Sequence, residues 1–269
     1  MKLANDGLPG GSWISPRTRT DGAGIRLFCL PHAGAGTAMY NIWKRFLPAF
    51  VEVCPVQIPG REARLAEPSY TDCALLIAEM TAALSMYMDK PYAIFGHSMG
   101  ALLALDLARS LRRAGYPEPS FLFVSGRNAT HVPMKHGAIH QMPDAEFLAA
   151  LATRYGGLPQ EILDTPELLE VYLPILRADL TLLETHCYEA LAPLSCPIAA
   201  FSGSEDPNVS AEGLQAWAEH TTGTFEVKWF DGNHFYLSGP SRSDLLGLLS
   251  DKLTQTLAAI SSQVTSDVR

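Results

Sequence analysis

The sequence predicts an α/β protein in which helices flank a mainly parallel central sheet. Three observations predict this class. Short runs rich in Ile, Val, Leu and Phe recur along the chain, segments of helical periodicity separate them, and the runs lack strict alternation of polar and apolar residues. Strands without such alternation are typically buried on both faces, as they are when helices cover both sides of a parallel sheet.

The strands and helices are predicted from these two periodicities in chain order. The predicted strands are Ile25 to Leu30, Val51 to Ile58, Tyr92 to Phe95, Phe121 to Ser125, Ile198 to Phe201 and Phe225 to Phe230. The predicted helices between and after them are Met39 to Phe50, Thr71 to Met88, Met99 to Ala114, Ala211 to Glu219 and Ser241 to Ile260.

One interval, at about residues 127–196, contains no predicted strand. It holds two helical stretches, Asp144 to Tyr155 and Pro166 to Thr185, and Thr165 before Pro166 is typical of a helix N-cap. Insertions of this length in compact domains are commonly functional, which favours a helical lid. The alternative is a peripheral helix pair that only enlarges the core.

Length and composition indicate one folded domain. With 269 residues, of which 47% are hydrophobic, the chain suits a single α/β domain, predicted over residues 23–260. Residues 1–22, rich in Gly, Pro and Asn, and residues 261–269 are predicted to be flexible tails. The first of these has neither the charged nor the apolar region of a signal peptide.

Charge and cysteine content restrict the partners and the compartment. The net charge of -8 argues against nucleic acid as a partner, and the densest basic run, Arg109, Arg112 and Arg113, is interpreted as a solvated helix end. The sequence indicates no membrane association. Five cysteines, an odd number without a C-x-x-C pair, favour a reducing cytoplasm.

The segment Gly96 to Gly100 reads G-H-S-M-G and lies between a predicted strand and a predicted helix. In that context G-x-S-x-G is typical of the nucleophile elbow of the α/β-hydrolase fold, where a sharp turn exposes a serine hydroxyl. The flanking glycines avoid Cβ clashes at such a turn. Ser98 is therefore the predicted nucleophile.

A serine hydroxyl needs a histidine base, and in this fold the acid and then the histidine follow the serine along the chain. His234 follows the strand Phe225 to Phe230 and is the predicted base, while chain order excludes His32 and His97. The remaining histidines lie in the insertion or at a helix end, and they are interpreted as surface groups. They are His131, His136, His140, His186 and His220.

The predicted acid is Asp206, on the loop after the strand Ile198 to Phe201 and one strand before His234. Glu205 is its nearest rival. Asp231 is interpreted as a turn former, because Asp before Gly commonly has that role.

The tetrahedral intermediate needs two backbone N–H donors, one from the residue after the nucleophile and one from the loop after an early strand. Met99 and Ala33 are the predicted donors. The glycine-rich loop Pro31 to Gly36 could also bind phosphate, but it lacks the Walker lysine and the G-x-G-x-x-G spacing.

Together these segments resemble the type II thioesterases, the separate editing enzymes of polyketide and nonribosomal peptide synthesis. The resemblance spans nearly the whole chain and rests on several motifs in order. They are Pro31 to Gly34, Pro59 to Arg64, Gly96 to Gly100, Leu176 to Asp179, Gly203 to Asp206 and Gly232 to Phe235. The oxyanion loop differs slightly from its relatives, which often have a second adjacent glycine, and the N-terminal tail is longer.

The resemblance implies the same catalytic residues, Ser98, Asp206 and His234, and the same oxyanion donors, Ala33 and Met99. It also implies a lid formed by the insertion, and a substrate in which phosphopantetheine on an acyl or peptidyl carrier protein holds the acyl group. No metal or diffusible cofactor is expected, and the enzyme is expected to be a monomer. The loop Pro59 to Arg64 is either structural, its arginines binding carboxylates, or part of the substrate entrance.

Two other functions remain open from the residues alone. A general carboxylesterase or lipase would use the same catalytic residues, because the fold does not fix the substrate. A non-catalytic binding module could keep the fold, although the intact set of Ser98, Asp206 and His234 weighs against it.

Overall fold

Six strands form one fully parallel sheet, which confirms the predicted fold class. The computed structural model describes residues 12–15, 20, 22–156 and 158–267, with only the backbone for residues 263–267. The strands are β1 (Ile25–Leu30), β2 (Val51–Pro55), β3 (Tyr92–His97), β4 (Phe121–Ser125), β5 (Ile198–Gly203) and β6 (Phe225–Phe230). Their order is β2-β1-β3-β4-β5-β6, and every neighbouring pair is parallel. Strands β1 to β5 are buried along their whole length, which explains why their sequences do not alternate.

Helices connect these strands and cover the sheet. They are α1 (Ala38–Asn41), α2 (Cys73–Leu84), α3 (Met99–Arg113), α4 (Asp144–Tyr155), α5 (Gln160–Leu163), α6 (Pro166–Thr185), α7 (Ala211–Gln215) and α8 (Arg242–Asp267). Within the ranges that the structure describes, no helix is both long and apolar enough to cross a bilayer.

Prolines shorten two of the predicted elements. The helix predicted over Met39 to Phe50 consists of α1 and a 3-10 turn, Trp43–Arg45, because Pro48 disfavours helical backbone in the residue before it. The strand predicted to reach Ile58 ends at Pro55, which has no N–H for a strand ladder. Val56 instead forms an isolated antiparallel bridge with Ile14.

The sheet separates two apolar cores. One face packs against α2 and α3, with Leu76 and Leu103 among its buried side chains. The other face packs against α1 and α8, with Trp43 and Leu249 among its buried side chains. Helix α2 begins where the Asp72 side chain accepts a hydrogen bond from the amide of Leu75, a typical N-cap.

The insertion between β4 and β5 contains α4, α5 and α6 and has a small core of its own. That core comprises Ile139, Phe147, Leu151, Leu176 and Leu180. The two predicted helices are present with the predicted bounds, whereas the four-residue helix α5 is additional and too short for its periodicity to be recognised. Thr165 occupies the N-cap position of α6, but its side chain makes no capping hydrogen bond.

Two side chains that the sequence predicts to be solvated are buried. Arg109 is 4% exposed and His220 is 1% exposed, and Nη2 of Arg109 lies 3.2 Å from Nδ1 of His220. The insertion covers them, because Nδ1 of His131 lies 3.0 Å from Nε2 of His220, and Arg109 donates to the carbonyl of Glu189. The position of His220 at a helix end does not reveal this long-range contact.

Most of the predicted N-terminal tail, namely residues 1–11, 16–19 and 21, falls outside the described residues, whereas only 268 and 269 of the predicted C-terminal tail do. The described residues 12–15 lie against β2, where the amide of Ser15 donates to the carbonyl of Pro55 over 3.2 Å. At the other end, α8 runs to Asp267 and thus beyond the predicted end at Ile260.

The strand order places a crevice at the carboxyl ends of β1 and β3. The chain crosses from β1 to β2 in one direction and from β3 to β4 in the other, so the loops after β1 and β3 diverge there. In open parallel sheets, ligands bind in this crevice. The loop containing Ala33 and the turn containing Ser98 both lie at it.

Candidate active site

Ser98 lies on a strained turn between β3 and α3. Its φ of 56° and ψ of -111° are unusual for a residue with a side chain, and its amide donates to the carbonyl of Ser125 over 2.7 Å. A Cβ at Gly96 would lie 1.9 Å from the carbonyl oxygen of Gly100, and one at Gly100 would lie 2.2 Å from that of Leu30. Both glycines are therefore required for this turn to pack.

His234 and Asp206 form a buried pair at the carboxyl ends of β5 and β6. Nδ1 of His234 lies 2.6 Å from Oδ2 of Asp206, and the two side chains are 5% and 0% exposed. The other carboxylate oxygen accepts the amide of Asn208 over 3.0 Å. A Cβ at Gly203 would lie 2.2 Å from the carbonyl oxygen of Asn233, so the absence of a side chain there lets the two loops meet.

A cavity of about 800 Å³ is lined by three of the five predicted site residues, Ser98, His234 and Ala33. Asp206 and Met99 do not line it: Asp206 is hydrogen-bonded to His234, and Met99 follows Ser98 in the chain. Helices α4 to α6 contribute an apolar wall that includes Leu151, Ile162, Val171 and Leu176. Its volume is in the range of sites that hold small molecules.

The two predicted oxyanion donors lie after β1 and β3, the two strands that border the crevice. Met99 is the first residue of α3, where backbone N–H groups have no partner inside the helix. Ala33 lies on the loop after β1, and its amide has no hydrogen-bond acceptor within the part of the chain that the structure describes. Such N–H groups are suited to stabilise a negatively charged oxygen.

Two further histidines pack around the site, although neither could be assigned a role from the sequence. The ring of His97 lies 5.0 Å from that of His234, and Nδ1 of His97 lies 2.9 Å from the Ser125 hydroxyl, which in turn contacts the Tyr236 hydroxyl. Burial lowers the pKa of His97 well below its usual value and that of His32 to about 4. Both rings are therefore neutral at pH 7 and add no charge beside His234.

Tyr155, at the end of α4, is a site residue that the sequence did not reveal. Its ring lies 5.3 Å from that of His234, and burial raises the pKa of its hydroxyl. It also lines a second cavity of about 60 Å³, together with Ser98, His234 and polar groups such as Arg127. No spacing in the sequence relates the end of an inserted helix to a loop after β6.

The loop Pro59 to Arg64 has the structural role expected of it, since its arginines bind carboxylates, and it also borders the large cavity. Arg61 forms a two-pronged ion pair with Asp179 of α6, at 2.6 and 2.7 Å, and both side chains are almost fully buried. The carboxylate of Glu62 accepts the amides of Thr37 and Ala38 at 2.8 and 3.1 Å. Arg61 and Glu62 also line the large cavity, so the loop both braces and borders it.

Among the described residues, one group has the side chains of a possible metal site. Nε2 of His186 lies 2.8 Å from Oδ2 of Asp106, and Sγ of Cys73 lies 3.8 Å from the same oxygen. None of the three lines either cavity at Ser98. They are connected to one another by hydrogen bonds and do not contribute to the site described above.

Comparison with known proteins agrees with this geometry. The family model described as a thioesterase domain matches residues 25–253. RedJ, a thioesterase from the prodiginine biosynthetic pathway in Streptomyces coelicolor, is 40% identical to this chain. The match covers 86% of this chain and 86% of RedJ, with a TM-score of 0.79. For BorB, the type II thioesterase from the borrelidin biosynthetic cluster, the identity is 35% over 92% of this chain and 98% of that one, with a TM-score of 0.81.

A third relative, LgrE from Brevibacillus parabrevis, is 39% identical over 91% of this chain and 94% of its own length. Its name describes a linear gramicidin dehydrogenase, but this chain has no G-x-G-x-x-G dinucleotide motif after β1. The family match and the solved structures confirm the predicted resemblance, and the chain belongs to the thioesterase family, as a thioesterase of α/β-hydrolase fold similar to the type II enzymes.

Proposed function

We propose that this thioesterase removes acyl groups from the phosphopantetheine arm of acyl or peptidyl carrier proteins, with Ser98 as nucleophile, His234 as base and Asp206 as the acid that orients it. The observation that carries the proposal is the buried pair of His234 and Asp206, whose histidine lines the same cavity as a serine on a strained elbow. Nucleophile, base and orienting acid together are what acyl transfer through a serine requires.

In the first half of the reaction, Oγ of Ser98 attacks the thioester carbonyl carbon and its proton passes to Nε2 of His234. The amides of Ala33 and Met99 donate to the oxygen that becomes negatively charged. The C–S bond then breaks, and the leaving sulfur takes the proton from His234. Asp206 stays ionised, accepts the Nδ1–H and stabilises the imidazolium.

In the second half, water attacks the acyl-serine while His234 takes one of its protons. The ester bond breaks, the proton returns to Oγ of Ser98, and a free carboxylic acid leaves. The neutral rings of His97 and His32 pack beside this path, and we assign them no proton transfer.

Three observations support a carrier-bound substrate and a lid. BorB is described as a type II thioesterase from a biosynthetic cluster, and RedJ as a thioesterase from a biosynthetic pathway. The large cavity has a mostly apolar lining, as an acyl chain needs, and α4 to α6 form the wall that a lid would provide.

The proposed oligomeric state and compartment rest on separate observations. All the proposed catalytic groups belong to this chain, so the proposed site needs no second copy, which fits a monomer. The described cysteines are unpaired, which fits the cytoplasm.

The test compares two substrates that carry the same acyl group, an octanoyl phosphopantetheinyl carrier protein and octanoyl p-nitrophenyl ester. We expect a higher kcat/KM on the carrier thioester, and loss of both activities in Ser98→Ala. A higher kcat/KM on the aryl ester would instead favour a general carboxylesterase.

Labelling by a fluorophosphonate separates an enzyme from a binding module of the same fold. We expect one label per chain in the wild type and none in Ser98→Ala. Ser204→Ala, which removes an exposed hydroxyl from the loop that also holds Asp206, is the matched control and keeps the label. An unlabelled wild type would overturn the proposal.

A further inference from the structure

Asp179 ties the inserted helix α6 to the loop that follows β1. Its side chain is almost completely buried, and Oδ2 accepts hydrogen bonds from the Gly34 amide at 2.7 Å and from Nη1 of Arg61 at 2.6 Å. Oδ1 accepts Nη2 of Arg61 at 2.7 Å. One carboxylate thus holds a backbone amide and a guanidinium that come from two different loops.

Arg61 contacts the same loop a second time. Its Nη1 also donates to the carbonyl of Ala35 over 3.2 Å. The loop after β1 is therefore held on consecutive residues, at Gly34 by Asp179 and at Ala35 by Arg61. Helix α6 approaches so closely that a Cβ at Gly34 would lie 2.5 Å from Cδ2 of Leu176.

The peptide unit between Ala33 and Gly34 is fixed at both ends. Its N–H donates to Asp179, and its carbonyl oxygen lies 2.9 Å from Nδ1 of His32. A carbonyl can only accept, so Nδ1 of His32 carries the ring proton in this contact. Rotation of the peptide would break both bonds, so the backbone on the carboxyl side of Ala33 is held in place, and this restrains the direction of the neighbouring Ala33 amide.

We infer that Asp179, paired with Arg61, is a positioning residue for the oxyanion hole, and this inference rests on the proposed role of the Ala33 amide. Because Asp179 occupies the Gly34 N–H, the loop presents Ala33 as its donor to the cavity. Donors aimed in advance stabilise a developing charge without reorganisation, which is the source of their effect on rate. The same contacts make the oxyanion hole depend on the docked position of α6.

The test must separate positioning from folding, because removing one partner of a buried ion pair leaves an unpaired charge. In the double variant Asp179→Leu with Arg61→Met, both charges are replaced by apolar groups, so the fold is retained while the hydrogen bond to Gly34 is lost. We expect kcat on octanoyl N-acetylcysteamine thioester to fall about 100-fold, as for loss of an oxyanion donor, with KM changed less than about threefold.

A second double variant, Asp179→Asn with Arg61→Gln, provides the rescue. It is also neutral, but the asparagine carbonyl can still accept the Gly34 amide, so we expect kcat to recover to within about tenfold of the wild type. The fluorophosphonate labelling rate of Ser98 should follow the same order, since its phosphoryl oxygen uses the same amides. A purely structural role would instead make activity follow the melting temperature.

The matched control is the buried pair of Arg26 and Glu52, 3.0 Å apart at the opposite, amino-terminal ends of β1 and β2. Replacing it in the same way, with Arg26→Met and Glu52→Leu, should leave kcat within about twofold.

A single substitution serves if the double variant Asp179→Leu with Arg61→Met lacks a native near-UV circular dichroism spectrum. Arg61→Lys keeps the charge but loses the two-pronged geometry, and it should lower kcat about tenfold.

The possible outcomes are distinct. A wild type that hydrolyses no acyl thioester contradicts the proposed function. Suppose instead that the wild type hydrolyses the thioester, and that the folded double variant Asp179→Leu with Arg61→Met keeps kcat within about threefold of the wild type. That result overturns the positioning role alone.

Discussion

Nδ1 of His234 lies 2.6 Å from Oδ2 of Asp206, and the fully buried carboxylate keeps a second bond to the amide of Asn208. The carboxylate is thus held from two sides before any substrate binds. This arrangement fixes which ring nitrogen of His234 carries a proton, and it leaves the other nitrogen free to accept one. A neutral amide of the same shape would not hold the proton on Nδ1 of His234 in this way.

Asp206→Asn should therefore abolish most of the activity while the protein stays folded. We expect kcat on an acyl thioester to fall about 10⁴-fold, because an amide stabilises the wrong tautomer of the histidine. Glu205→Gln is the control, since Glu205 is the adjacent acid, is exposed and should change kcat by no more than about twofold. Equal losses in the two variants would contradict the assignment of the acid.

Replacing Gly100 and Gly247 by alanine should change the free energy of unfolding in opposite directions. In Gly100→Ala the new Cβ would lie 2.2 Å from the carbonyl oxygen of Leu30 in the central sheet, and we expect unfolding free energy to fall by about 3 kcal/mol. Gly247 lies in α8 with no atom within 4 Å of its Cβ position, so Gly247→Ala should add about 0.5–1 kcal/mol. Urea titrations of both variants measure these changes, and a stable Gly100→Ala protein would contradict the steric account of the elbow.

The parts of the structure that follow local patterns could be predicted from the sequence, and those that depend on contacts between distant residues could not. The strands, α3 and α6 each have a periodicity of their own, and Ser98 and His234 each follow a strand directly. In contrast, Arg61 and Asp179 are 118 residues apart, and only the packing of α6 on the crevice brings them together. The burial of His220 has the same cause, because His131 of the insertion reaches it from 89 residues away.

Acid should destabilise the protein through His32 and His220. Burial lowers the pKa of each ring to about 4, whereas an unfolded histidine titrates near 6.5. Between these values the unfolded chain binds more protons than the folded one, so unfolding free energy falls as the pH falls. Each histidine contributes about 1.4 kcal/mol per pH unit, or about 3 kcal/mol across the window.

His32→Asn tests this contribution, because asparagine can still donate to the Ala33 carbonyl but does not titrate. Urea unfolding at about pH 7 and about pH 4.5 should show a smaller loss of stability in the variant than in the wild type. His220→Asn should reduce the loss in the same way at a location remote from the cavity. Unchanged pH dependence in both variants would contradict the low pKa values.

The apolar wall formed by α6 should set the length of acyl chain that the cavity accepts. Val171 lines the cavity and is 40% exposed, so Val171→Trp can fill the space without disturbing the core. We expect kcat/KM for the octanoyl thioester, divided by kcat/KM for the acetyl thioester, to fall at least about tenfold. Each methylene excluded from an apolar pocket weakens transition-state binding by about 1–3 kcal/mol. Leu168→Trp is the matched control, because Leu168 lies on the same helix with similar exposure and does not line the cavity. If both variants lower the ratio equally, the effect comes from the stability of α6, and the cavity lining does not determine which acyl-chain length is preferred.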